Sequence, residues 1–182
     1  MTATSARDAW AVGDTFAPNT GSSLILHWNG ATWKRVASPN PAGQVTEVIL
    51  DGVAATSDKD AWAVGEFSMS NGEGRTIALH WNGRAWKTVP SPNPSFETEL
   101  SSVAAISAKN AWAVGRYRVG SADQTLIVRW NGRAWKRVAS PTASGISLLT
   151  GVAASSASNV WAVGEFRVGN TAPLQVLALH CC

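Results

Sequence analysis

Cysteine is nearly missing from this chain. There are two, Cys181 and Cys182, side by side. A vicinal pair gives no disulfide framework and lacks the two-residue spacer of a metal or thioredoxin-like site, so an altered terminus accounts for it better. Charge is sparse too, at 15% of residues with a formal net charge of +3. That small, dispersed balance excludes nucleic acid as a first partner. No apolar run reaches the ~18 residues of a membrane span. Met1 to Asp8 contain no apolar stretch of the signal-peptide kind. Helical periodicity is absent, so essentially no helix is expected.

Tryptophan is abundant, with ten in 182 residues. All ten fall in two recurring motifs. The first is Ala111-Trp112-Ala113-Val114-Gly115, with copies at Ala9–Gly13, Ala61–Gly65 and Val160–Gly164. Its Trp residues (Trp10, Trp62, Trp112, Trp161) are spaced by 52, 50 and 49 residues. A period near 50 residues marks a repeat architecture, in which one supersecondary unit needs its neighbours. The second motif is His27-Trp28-Asn29-Gly30, repeated from His80 and from Arg129, with a further Trp (Trp33, Trp86, Trp135) five residues after the first.

The third copy predicts the unit. Leu100–Ser107 reads as strand A, Ala111–Val119 as B, Thr125–Trp130 as C and Trp135–Ala139 as D, an antiparallel meander. Asn131-Gly132 reads as a two-residue hairpin turn with positive φ. By the same rule Leu26 stands opposite Trp33, with Trp28 diagonal to it on the same face. The B–C loops are expected at Asp14 to Ser22, Ser68 to Arg75, Gly120 to Gln124 and Gly169 to Pro173. The D–A loops are expected at Asn40 to Thr46, Asn93 to Thr98 and Thr142 to Ser147.

A lone meander cannot bury both faces, whereas several stacked around an axis do so as a β-propeller. Small residues such as Val103-Ala104-Ala105 suit an inner strand A. The charges Lys34-Arg35, Lys87 and Lys136-Arg137 suit an outer strand D. The fold class expected is therefore all-β: a propeller of four-stranded antiparallel blades, incomplete, an open arc of about 3.5–4 blades with roughly 15 strands. The blades span residues 1–40, 41–92, 93–141 and, in part, 142–182. Ala3-Thr4-Ser5 supplies only the tail of a strand A. Leu177-Ala178-Leu179-His180 ends a strand C with no Trp-Asn-Gly after it. The ends read as those of a fragment.

The unit resembles the kelch-like repeat of bacterial β-propellers, with its strand-B Gly, its aromatic residue closing strand C and its Trp opening strand D. It departs from that pattern in having one Gly (Gly65, Gly115) rather than two, and Trp-Asn-Gly in place of a Tyr-Asp pair. The resemblance implies a secreted or cell-surface protein, although no signal peptide is visible. It also implies that A–B and C–D turns share one face, with the B–C and D–A loops on the other.

The near-identical turns are explained by backbone geometry, and the varied loops are where binding resides on a rigid scaffold. Neutral drift explains them equally well. The Trp residues fit packing between blades better than a sugar-stacking surface. His27, His80 and His180, with Arg129 at the same repeat position, lie about 50 residues apart and are not expected to converge on a metal. Asp14, Glu66, Arg116 and Glu165 follow the strand-B Gly. An acidic ring there is broken by the Arg, so a polar blade surface is the simpler account. Tyr117, the only tyrosine, lacks the histidines or axial arginines that propeller enzymes place beside one. No catalytic, cofactor or metal residue stands out. The expectation is a non-catalytic binding or scaffold module with a protein or glycan partner, able to self-associate through open blade edges. The alternative is a fragment of a larger glycosidase- or lyase-like propeller enzyme whose catalytic residues lie outside this chain.

Overall fold

A computed structural model describes residues 1–17, 20–141, 145–169 and 171–181. Among them are fifteen strands and no helix. Sheet 1 holds β1 (Thr2–Ser5), β2 (Asp8–Ala17), β3 (Thr20–Trp28) and β4 (Trp33–Arg35). Sheet 2 holds β5 (Val45–Ser57), β6 (Asp60–Met69), β7 (Gly74–Trp81) and β8 (Trp86–Thr88). Sheet 3 holds β9 (Thr98–Ser107), β10 (Asn110–Val119), β11 (Ala122–Trp130) and β12 (Trp135–Val138). Sheet 4 holds β13 (Gly145–Ser156), β14 (Asn159–Val168) and β15 (Gln175–Cys181). Each sheet is an antiparallel meander in chain order, as the repeat pattern predicts.

Side chains alternate across a strand, so each sheet has two faces. Trp10 and Val12 of sheet 1 point to sheet 2, where Leu50, Ala61, Ala63 and Leu79 meet them. One unit on, Trp62 and Val64 meet Leu100, Ala111, Ala113 and Leu126. Then Trp112 and Val114 meet Leu149, Val160 and Ala162. The sheets thus stack face to face in chain order, the large residues of one against the small residues of the next. The first strands β5, β9 and β13 lie side by side, and β4, β8 and β12 lie at the opposite edges.

Two sequence expectations need correction. The Asn-Gly loops have four residues, not two: Trp28 pairs directly with Trp33, Trp81 with Trp86 and Trp130 with Trp135. The cause is the Asn side chain. Asn29 Oδ1 accepts the N–H groups of Ala31 and Thr32, both at 3.0 Å, and the other two loops repeat this. An Asn that closes its own turn in this way stabilises a wider loop, and Gly30, Gly83 and Gly132 take the positive φ inside it. Secondly, the B–C segments of sheets 1 and 3 are mostly strand, whereas the loop expected at Gly169 to Pro173 does fall between β14 and β15. In sheet 3 only Gly120 and Ser121 separate β10 from β11, so Ala122, Asp123 and Gln124 are ladder residues. Parts of the loops at Asp14 to Ser22, Thr142 to Ser147 and Gly169 to Pro173 lie outside the described residues, as does Cys182.

The strand-B glycine is explained by strand A. A bulge follows Leu50, Leu100 and Leu149 on strand A. It drives a carbonyl toward the glycine, and a Cβ on Gly65, Gly115 or Gly164 would lie 2.0, 2.1 or 2.0 Å from the oxygen of Ile49, Glu99 or Leu148. Gly13 has no such neighbour within 4 Å, because β1 stops short of it. Gly115→Ala is therefore expected to cost about 1–3 kcal/mol through forced backbone displacement, while Gly13→Ala leaves stability nearly unchanged. Urea melts of the two variants compare them directly, and equal losses would refute the explanation.

Candidate functional site

The turn end of each sheet is closed by a repeated set of bonds. The indole N–H of Trp28, Trp81 and Trp130 donates to the carbonyl of Ala6, Asp58 and Ala108, each at 3.0 Å. That ties the C–D loop to the A–B turn. In sheet 1, Asp8 accepts from Thr4 and, at 2.6 Å, from His27 Nε2, while the imidazole stacks on Trp10 with centroids 4.3 Å apart. In sheet 2, Thr56, Asp60, His80 and Trp62 repeat it. Sheet 3 exchanges the set together: Ile106, Asn110 and Arg129, with the guanidinium over Trp112 at 5.1 Å. Sheet 4 uses Ser155, Asn159 and His180 on Trp161. The three histidines therefore stay on separate sheets, each engaged with its own tryptophan. Tyr117 is buried, donates to Gln124 Oε1 at 2.8 Å and lies under Arg137, which also donates to its hydroxyl.

The opposite end, carrying the B–C turns and the D–A segments, differs from sheet to sheet. Between sheets 2 and 3 it opens a polar cleft of about 230 Å³, lined by Glu66, Glu97, Glu99, Arg116, Arg118 and Asp123, with Ser68, Thr98, Gly72 and Gly74. Strand register builds its wall. Arg116 pairs with Glu99 on β9, and Arg118 with Asp123 on β11. Arg116 grips Glu99 with two nitrogens, at 2.9 and 3.0 Å, and reaches Asp123 Oδ2 at 2.8 Å. Arg118 bonds Asp123 Oδ1 at 3.0 Å and Glu97 at 2.7 Å. Asp123 thereby bridges both guanidiniums. Burial pushes its carboxyl up, but the bonds from Arg118 and Arg116 outweigh this and hold it below its ordinary value. Arg116 is held still more firmly protonated than usual, first by its bond to Glu99. Gly74 occupies the register position in sheet 2 that Asp123 holds in sheet 3, and its missing side chain leaves the cleft open beside Glu66.

The acids outnumber their partners. Glu66 is raised from 4.5 to about 7, by burial first, then by Glu99, Asp51 and Glu47, against a lowering pull from Arg116. Asp51, on the strand-A bulge, is raised from 3.8 to about 6 by burial, then Glu99 and Asp14. Asp14 Oδ2 is buried with no hydrogen-bond partner among the described residues.

Of the four residues after the strand-B glycine, the structure thus brings Glu66 and Arg116 into one cleft and sets Asp14 near Asp51. Glu165 lies apart on sheet 4, in register with Leu148 and Val176. The Arg does not break the acidic set. It neutralises part of it and leaves the remainder protonatable. Sequence reasoning covered Glu97 and Asp123 only as members of the varied loops Asn93 to Thr98 and Gly120 to Gln124, and it missed Asp51, Glu99 and Arg118. The available signal was deviation between repeats: Glu99 stands where sheets 2 and 4 carry Ile49 and Leu148. Among the described residues no three His, Cys, Asp or Glu side chains are placed to hold a metal ion. Among the described residues no helix is long and apolar enough to cross a membrane.

The raised carboxyls set a pH dependence. Between their unfolded values near 4 and their folded values near 6 and 7, the folded state binds more protons than the unfolded state. Their contribution is therefore present at low pH and is lost as pH rises through that window. Glu66→Gln and Asp51→Asn are expected to flatten the decline in stability between about pH 4 and 7 and to stabilise the protein at pH 8. Melting curves across that range check it; a wild-type-like slope in both variants contradicts the assignment. No family model matches the chain, and no curated protein resembles it significantly.

Proposed function

We propose that the four sheets are blades of an incomplete β-propeller, an open arc of about 3.5–4 blades. We further propose that the arc is a non-catalytic binding module whose partner is a protein seated on the B–C and D–A end. The propeller reading is supported by stacking in chain order, with small-residue first strands side by side and charged last strands at the outer edge. The kelch-like resemblance points the same way.

One observation carries the binding function. The cleft is built from charged residues at positions that differ between repeats, on a scaffold whose structural positions recur. Four of its carboxyls, Glu66, Glu97, Glu99 and Asp123, face two guanidiniums, Arg116 and Arg118. The surplus attracts a cation. At about 230 Å³ the cleft is below the ~300–1,000 Å³ of small-molecule pockets, a fit for one lysine or arginine head projecting from a partner. Neutral glycan is the alternative ligand, and it gains nothing from that surplus.

A second reading has one observation in its favour. Glu66 is raised to about 7, by burial first and then by Glu99 beside it, which is the range a general acid needs. In a larger glycosidase-like propeller it would serve as the acid.

Calorimetry separates these. Arginine-containing peptides titrated at pH 7 in buffers of differing ionisation enthalpy are expected to release about half a proton on binding, as the incoming cation lowers Glu66. Glu66→Gln should abolish that release, and added salt should weaken the binding. Neutral oligosaccharide binding without proton release favours the glycan partner, and turnover of a glycoside favours the enzyme.

A further inference from the structure

The two outer faces of the stack carry the two halves of one junction. Where sheet 1 meets sheet 2, Trp10 sits against Trp81 and Trp86, with ring centroids at 5.0 and 5.1 Å. Where sheet 2 meets sheet 3, Trp62 sits against Trp130 and Trp135, both at 4.9 Å. In both, the second contact is edge to face, at 90° and 80°. The host rings stand 5.9 and 6.0 Å apart, inclined by 45° and 50°.

Sheet 1 has the same host pair without a guest. Trp28 and Trp33 lie 5.8 Å apart at 46°, and Trp33 is 42% exposed where Trp86 and Trp135 are 4%. A groove of about 400 Å³ lies over them, floored by Met1, Ala3, Ala6 and Ala9. Sheet 4 has the guest without a host. Trp161 is 51% exposed, where Trp10, Trp62 and Trp112 are 1%, 0% and 2%, and Val163 beside it is 46% exposed. His180 stacks on Trp161 at 4.8 Å, as His27 and His80 do on their tryptophans at 4.3 and 4.5 Å. The guest ring is therefore already held in its docking orientation. Both aromatic half-sites lie at the turn end, where β1 pairs with β2 and β13 with β14, while the short β1 supplies no counterpart of the Leu50 that meets Trp10 and Val12 in the internal junction.

We infer that Trp161 of one copy of this chain docks into the Trp28–Trp33 groove of a second copy, extending the stack head to tail through the contact that joins its own sheets. Two large apolar surfaces leave water together, and the geometry is already realised twice within the chain. Such a heterologous contact closes into a ring or grows as an open filament, according to the rotation per step. Closure by two copies would give eight sheets, within the ~4–8 blades of propellers. Only that closure rests on the propeller reading.

The test is sedimentation velocity of the purified chain from about 1 to 100 µM, the range of weak to moderate association. The wild type is expected to associate. Trp161→Ala and Trp33→Ala should each weaken association at least tenfold, and Val119→Ala, at another exposed apolar site, should not. Melting curves confirm that each variant is folded. Mixing is decisive: the Trp161→Ala chain retains a groove and the Trp33→Ala chain retains a guest. The two, inert alone, should form a 1:1 complex. A monomeric wild type, variants that associate like wild type, or folded variants that fail to complement would overturn the inference. A closed wild-type dimer also supports the ring, whereas an open filament keeps the junction and refutes the closure.

Discussion

Everything in this molecule depends on one tryptophan entering the next sheet. A four-stranded meander has two faces and no helix among the described residues to cover either. The strand-B Trp is the largest side chain on one face, and the small residues opposite give it room. Deleting such a buried indole costs about 3–5 kcal/mol, a large share of the stability of an ordinary domain. No sheet therefore has much stability alone, and the stack holds through nearest neighbours. The price is polar: the indole N–H groups of Trp10, Trp62, Trp86, Trp112 and Trp135 are buried without a hydrogen bond among the described residues.

This dependence divides the sheets into two ends. At the turn end almost every polar group is committed: Asn29 to its own loop, Trp28 to Ala6, His27 to Asp8. Those bonds fix the angle at which the tryptophan leaves its strand. The other end is free of that duty and diverges. There the ladder continues past the core into charged pairs such as Arg116–Glu99 and Arg118–Asp123. Rigidity at one end makes variation at the other affordable in stability.

The sequence period carried much of the fold. Four strand-B motifs yielded four sheets, and the recurring tryptophans were expected to pack between them, as Trp10, Trp62 and Trp112 do. What escaped was local or long-range. The four-residue Asn-Gly loop depends on a side-chain oxygen capturing two amides, which the Asn-Gly pair alone does not reveal. The strand-B glycine was visible as a marker, but its cause, a carbonyl pushed forward by a bulge on the preceding strand, was not. The cleft was least legible. Glu66, Glu99 and Asp123 are ordinary exposed-looking charges until strand pairing and sheet stacking bring them together. The one residue flagged as an interruption, Arg116, proved to be the group that holds Glu99 and Asp123.

The exchange of Thr-Asp-His for Ile-Asn-Arg in sheet 3 bears on how such a chain can diversify. Arg129 in place of His80 would set a longer cation against Asp60 and Thr56, and His in place of Arg129 would face Asn110 beside the apolar Ile106. The three members sit on strands A, B and C, so a crossover inside a sheet separates them, and one between sheets does not. Recombination by whole sheets keeps each set intact, so duplication or loss of entire sheets changes the length of the array without damaging its joints, while the Asn159–His180 pair of sheet 4 shows that the Asn of one set and the His of the other are compatible.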